Sequence, residues 1–161
     1  MKYELVKEDT KTVAGRTFYR IKALVDIGFS VSAGDLGGYV ESEINLSQVS
    51  GDAWVSGDAW VSGDAWVSGD ARVFGNAQVS GDARVSSSND WLHIGPAKSS
   101  GRFTTAFKDS VIGVRVVCGC FSGTVAEFSK SIEDTHKDNQ EHLEQYRLFC
   151  QLIAFNFGVE K

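Results

Sequence analysis

From Val49 the chain reads VSGDAW VSGDAW VSGDAW VSGDAR VFGNAQ VSGDAR V, six uninterrupted copies of one hexad. Valine recurs at 49, 55, 61, 67, 73, 79 and 85, and alanine at 53, 59, 65, 71, 77 and 83. No other feature constrains the fold so tightly. A period of six does not match the 3.6-residue helix, and a glycine in every copy stops helices in any case. In each A-x-V the alanine and valine are two residues apart. In an extended chain they therefore share one face, and the residue between them takes the other. Ser-Gly-Asp makes the corner, because glycine accepts positive φ and aspartate bonds nearby amides. Three such sides close a triangular coil of 18 residues, with coils stacked about 4.8 Å apart. Two turns are expected over Val49–Val85, with every valine inward and residues 54, 60, 66, 72, 78 and 84 outward.

The pattern reaches upstream. Val40 and Leu46 are six apart, with Ile44 in the inward slot before Leu46. Leu46 to Val55 is nine, so a three-residue phase shift falls at 47–49. Counted from Val40, about two and a half to three coils are expected. Over residues 49–85 the sequence resembles the hexapeptide-repeat, left-handed β-helix family. A second resemblance covers nearly the whole chain. "RIKALVDIG…VSAGDLGGYVESEINLSQ", the Gly-Asp-Ala repeats and "CGCFSGTVAEF" look like small phage and prophage proteins of the kind often called polymer-forming cytoskeletal proteins. Hexapeptide β-helices commonly form parallel trimers, so the resemblance implies a homotrimer as well as a phage origin. It implies no activity.

The flanks complete a mainly β architecture: a short left-handed β-helix, an N-terminal β cap and a small C-terminal ββαα unit. Residues 1–39 read as the cap with the turn into the first coil. KYELV and TFYRIKALV alternate, and Ala14-Gly15 can turn between them. A solenoid end needs such a cover over its strand edges and apolar interior. Residues 40–88 are the β-helix. Ser86–Asp90 breaks the repeat and reads as a linker, and residues 89–161 form the last unit. In it, Phe103–Phe107 and Val111–Val117 are β-rich runs around Lys-Asp-Ser. Thr124-Val-Ala-Glu127 has the form of a capping box at a helix start. A second helix near Asn139–Phe157 carries Leu143, Tyr146, Cys150 and Ile153 at helical spacing.

Charge narrows the partners. The chain carries a net −5, and residues 41–90 set eight acids against two arginines. Duplex binding needs a basic stripe, so duplex nucleic acid is not an expected partner. The first residues, MKYELVKEDTK, lack the apolar core of a signal peptide, and no run approaches a membrane span. Cys118, Cys120 and Cys150 form no disulfide framework. A cytoplasmic location in a bacterial host is the expectation, with no membrane partner.

The candidate ligand- or partner-binding residues lie on the outward slots. Trp54, Trp60 and Trp66 fall on three successive sides, with Arg72, Gln78 and Arg84 one coil below. Trp54 over Arg72 and Trp66 over Arg84 suit cation–π pairing, and Tyr39 joins them at the first coil. Three outward tryptophans also suit packing between subunits or domains. Asp52, Asp58, Asp64, Asp70 and Asp82 repeat at the corner and read as solvated turn residues. Hexapeptide-repeat acyltransferases and their carbonic anhydrase relatives use histidines on the coils, and here the first histidine is His93. No catalytic residue, metal site or cofactor is therefore expected. Cys118 and Cys120, even with His93 or His136, are too sparse a set for zinc, and Cys118/His136 lacks an orienting partner. The expected function is non-enzymatic: a phage-encoded trimeric antagonist of a host defence system, sequestering a small nucleotide signal or blocking a host protein. A structural or scaffolding phage protein is the alternative, followed by a degenerate acyltransferase.

Overall fold

The computed structural model describes residues 1–49, 51–98 and 100–160. The chain divides into two compact units, the first Met1–Asp90 and the second beginning at Trp91.

In the first unit, β1 (Tyr3–Val13) and β2 (Arg16–Ala23) form an antiparallel hairpin. Its two-residue turn places Ala14 at φ 50° and Gly15 at 78°, the doubly left-handed geometry that matches strand twist. β3 (Leu36–Val40) runs antiparallel to β2 and joins the hairpin to the repeat. The hexads supply six two-residue strands: β4 (Trp54–Val55), β5 (Trp60–Val61), β6 (Trp66–Val67), β7 (Arg72–Val73), β8 (Gln78–Val79) and β9 (Arg84–Val85). Each of the first three pairs in parallel with the strand 18 residues on: Trp54 opposite Arg72, Trp60 opposite Gln78, Trp66 opposite Arg84. One coil is thus three hexads. Ala53, Ala59, Ala65, Ala71, Ala77 and Ala83 are fully buried, as are the valines from 55 to 85.

Above these coils the spacing lengthens. Tyr39 lies opposite Trp60 and Leu46 bridges Val67, 21 residues on in each case. The three extra residues are the phase shift, and here two expectations are corrected. Val49 is 69% exposed, so the first valine of the repeat does not point inward. Ile44, expected inside, is 67% exposed, and Asn45 is buried instead. The cause is a 3₁₀ turn over Glu43–Asn45. The Asn45 side-chain oxygen accepts the Ser42 amide at 2.9 Å, while its Nδ2 donates to Gly63 O and Ala65 O, both at 2.9 Å. That rotation turns Ile44 out.

The shift also meets the N-terminus. Gln48 Oε1 accepts the Lys2 amide (2.8 Å) and its Nε2 donates to Tyr3 O (3.0 Å), so one side chain substitutes for a strand neighbour. Tyr3 is fully buried, and its hydroxyl lies 2.9 Å from Glu43 O and from Leu46 O. Burial and the Glu43 charge push its phenol pKa up, so it stays a donor. Ser86–Asp90, expected as a linker, is a compact turn: Asp90 Oδ2 accepts the Ser86 amide, the Ser86 hydroxyl and the Ser87 amide within 2.9 Å.

Among its described residues the second unit holds four strands where two were expected. β10 (Trp91–Ile94), β11 (Thr104–Asp109), β12 (Gly113–Cys118) and β13 (Phe121–Gly123) form an antiparallel meander in chain order. α1 (Val125–His136) and α2 (Gln140–Phe157) follow. Thr124 and Glu127 close the capping box, Thr124 N donating to Glu127 Oε2 at 2.8 Å and Glu127 N to Thr124 Oγ1 at 3.2 Å. Ala106, Val116 and Cys118 on the sheet pack with Val125, Phe128, Ile132, Tyr146, Cys150 and Ile153. Among the described residues no helix is long and apolar enough to cross a membrane.

Candidate functional site

The six sequence-derived candidates do not share one site; they divide over three sides of the coil. On the first side Trp54 is buried at 4% exposure. The chain passes so close that a methyl on Gly37 would lie 2.7 Å from its ring. Arg72, one coil below, donates from Nη2 to Ile27 O (3.2 Å) and from Nη1 to Ser30 Oγ (3.4 Å). It therefore ties down the loop after β2, and a Cβ at Gly28 would sit 2.5 Å from the guanidinium and 2.7 Å from the Asp52 carboxylate. The left-handed φ of 60° is what favours glycine there, since the ends of the Arg72 and Asp52 side chains can shift.

On the second side Phe18 of β2 lies against Trp60, ring centroids 4.9 Å apart. Tyr39 is buried beside it in the sheet. The Arg20 guanidinium stacks 4.7 Å above the Tyr39 ring, donates to its hydroxyl at 3.0 Å and to Gly37 O at 2.8 Å, and pairs with Asp9 at 2.8 Å. Lys11 also lies over that ring, at 5.6 Å. These groups fasten the hairpin to the coil, so the N-terminal segment has occupied two of the three tryptophan sides.

Trp66 on the third side remains 44% exposed. It floors an open groove of about 650 Å³ lined by Glu43, Ile44, Gln48, Val49, Asp64 and Arg84, among others. The exposed Ile44 and Val49 stand here. Arg84 shares the groove but turns its Nη1 to Asp64 O (2.7 Å) and Ala83 O (2.9 Å). Arg20 and Lys11 both lie over the Tyr39 ring. The expected pairings of Arg72 on Trp54 and Arg84 on Trp66 give way to bonds with backbone and loop oxygens.

Ile44 and Val49 were the residues missed. The nine-residue step from Leu46 to Val55 was the available signal, since an insertion into a strict repeat must turn some side chain outward. The corner aspartates line the coil edge, and the Asp52 amide reaches the Asp70 carboxylate at 3.4 Å, one coil below.

In the second unit, His93 Nδ1 lies 3.0 Å from Thr105 Oγ1 and the ring stacks on Phe103 at 4.7 Å. Partial burial lowers its pKa, favouring the neutral ring. Asp109 is the buried carboxylate, and its Oδ2 meets Arg115 Nε at 2.6 Å. Its Oδ1 accepts the Val111 and Ile112 amides. Burial works to raise its pKa, but Arg115 and the two amides outweigh it and hold the carboxyl below its usual value. Among the described residues no group of three or more histidine, cysteine or acidic side chains could hold a metal.

The family model described as YdcK Beta solenoid repeat matches residues 47–64 and 77–88. No curated protein matches the chain at a significant level. The matched segments overlap the 18-residue coils, where parallel pairing and the valine ladder were found. The chain is a mainly β protein of the β-solenoid repeat kind.

Proposed function

We propose that this chain is a non-enzymatic binding protein of phage or prophage origin, a left-handed hexapeptide coil that blocks a protein partner in the host cytoplasm. The observation that carries this reading is the Trp66 groove. Folding buries every valine from 55 to 85, yet leaves Ile44, Val49 and Trp66 outward in one place. Clustered apolar exposure of this kind marks interaction surfaces. A nucleotide would need cations for its phosphates. The groove offers Arg84, already directed at two carbonyls, against the carboxylates of Glu43 and Asp64. That balance favours a protein surface over a free anion. Residues 1–92 contain no histidine, so the coils carry no general base of the acyltransferase kind.

A homotrimer is the second reading, favoured by the same exposed side chains; in it Trp66 would lie against a neighbouring subunit. Native mass spectrometry with acrylamide quenching separates the two. Blocking of a partner expects Trp66 to stay quenchable, whatever the subunit number. A mass near three times 17.5 kDa with Trp66 shielded, returning to one chain on Val49→Asp, would assign the groove to assembly. A nucleotide retained in the spectrum would restore sequestration.

A further inference from the structure

We propose that the Trp66 groove docks a basic segment of a partner protein. One aromatic or aliphatic side chain would be seated among Ile44, Val49 and Trp66, with flanking lysine or arginine facing Glu43 and Asp64. The inference rests on the groove being a binding face and names what it binds.

The groove exists because the repeat departs from its own rule. Continued at strict spacing, the hexads would bury Val49, and the apolar slot before Leu46 would take Ile44. The chain instead inserts three residues and forms the Ser42–Asn45 turn, leaving both side chains about two-thirds exposed. Leaving Ile44 and Val49 out of the core forgoes the free energy their burial would bring.

The display is also held rigidly. Asn45 is bonded to Gly63 O and Ala65 O beneath it, and Gln48 to the backbone of Lys2 and Tyr3 beside it. Anchors fixed from below lose little entropy when a partner arrives.

Charge selects the occupant. Glu43 and Asp64 are exposed at the groove. The coil region has two arginines for eight acids; Arg72 holds the loop on another side, and Arg84 faces the Asp64 and Ala83 carbonyls. A cationic segment is drawn to such a surface and an acidic one is repelled. A groove of about 650 Å³ suits a few side chains of a segment.

The test is selection from a random dodecapeptide library on the immobilised full chain, with Trp66→Ala as counter-selection and circular dichroism confirming that each variant folds. Enriched peptides should carry an aliphatic or aromatic residue flanked by Lys or Arg. Their binding should weaken about tenfold or more in the Glu43→Lys/Asp64→Lys variant, and should fall as salt screens the rim. Neutral or acidic peptides that bind and depend on Trp66 would overturn the basic partner while leaving the groove a binding face. If no selected peptide depends on Trp66, both readings fail.

Discussion

Gly63 and Gly69 occupy the same hexad slot and the same left-handed backbone region, φ 65° and 58°, yet alanine should harm them very differently. Both variants carry the cost of an L side chain in that region, about 1–2 kcal/mol. The new methyl then meets different neighbours. At Gly63 the nearest atom is Gly81 N at 3.4 Å, ordinary packing; at Gly69 it is Ser86 O at 2.4 Å. That carbonyl cannot retreat freely. It accepts the Asp70 amide at 3.0 Å, the neighbouring Val85 carbonyl accepts Ser68 N at 2.9 Å, and the Ser86 amide is held by Asp90 at 2.9 Å. Moving the segment aside loses two ladder bonds at about 1 kcal/mol each. Gly63→Ala should therefore cost about 1–2 kcal/mol and Gly69→Ala about 3–4 kcal/mol. Urea unfolding followed by tryptophan fluorescence in a Trp91→Phe background reads the coils alone, because Trp54, Trp60 and Trp66 all lie on them. If the two variants lose the same stability within about 0.5 kcal/mol, the close approach at Ser86 is not what fixes glycine at 69.

Three further outcomes are expected. Ala14→Asn should stabilise the first unit by about 1 kcal/mol, since asparagine tolerates the observed φ of 50° at the hairpin turn; a lower melting temperature would contradict it. Asn45→Leu restores an apolar residue beside the coil interior but leaves Gly63 O, Ala65 O and Ser42 N without the partners they have now. It should destabilise by about 2–4 kcal/mol in thermal melts rather than repair the repeat. Asp109 has a folded pKa below its unfolded value, so its contribution is present above the unfolded pKa and is lost as pH falls through the folded one. Asp109→Asn should cost about 2 kcal/mol at neutral pH and flatten the acid limb of the second unit's unfolding curve; an unchanged acid limb would remove Asp109 from that role.

The interior of the coils was legible because it is local and repeated. Ala53 to Val85 alternate in and out by chain geometry, and 18 residues per coil follows from three identical corners. The Thr124–Glu127 box and the Ala14-Gly15 turn were legible for the same reason, each being contained in a few residues. What covers an outward residue is not local. Phe18 lies 42 positions from Trp60, and Ile27 lies 45 from Arg72, so no hexad reveals that its tryptophan is already matched. Ile44 and Val49 were assigned inward by extending the period through an insertion that breaks it. β10 and β13 escaped notice because Trp91–Ile94 follows directly on the Asp90 turn and Phe121–Gly123 is too short to alternate.

The three tryptophans make the functional consequence explicit. Their hexads are identical, and their places on the coil are equivalent by threefold repetition, yet Trp54 is 4% exposed, Trp60 half-buried and Trp66 44% exposed. The coil below sets Gln78 under Trp60 but an arginine under both Trp54 and Trp66, so it does not explain why those two differ. The distinction comes from the first forty residues, which lay the loop after β2 over the first side and Phe18 over the second. The phase shift then adds Ile44 and Val49 to the third. The three identical hexads alone would present the same tryptophan edge three times. By covering Trp54 and part of Trp60, the asymmetric segment leaves Trp66 open beside Ile44, Val49 and acidic neighbours, and the location of that groove follows from Tyr3, Asn45 and Gln48 fixing where the shift falls.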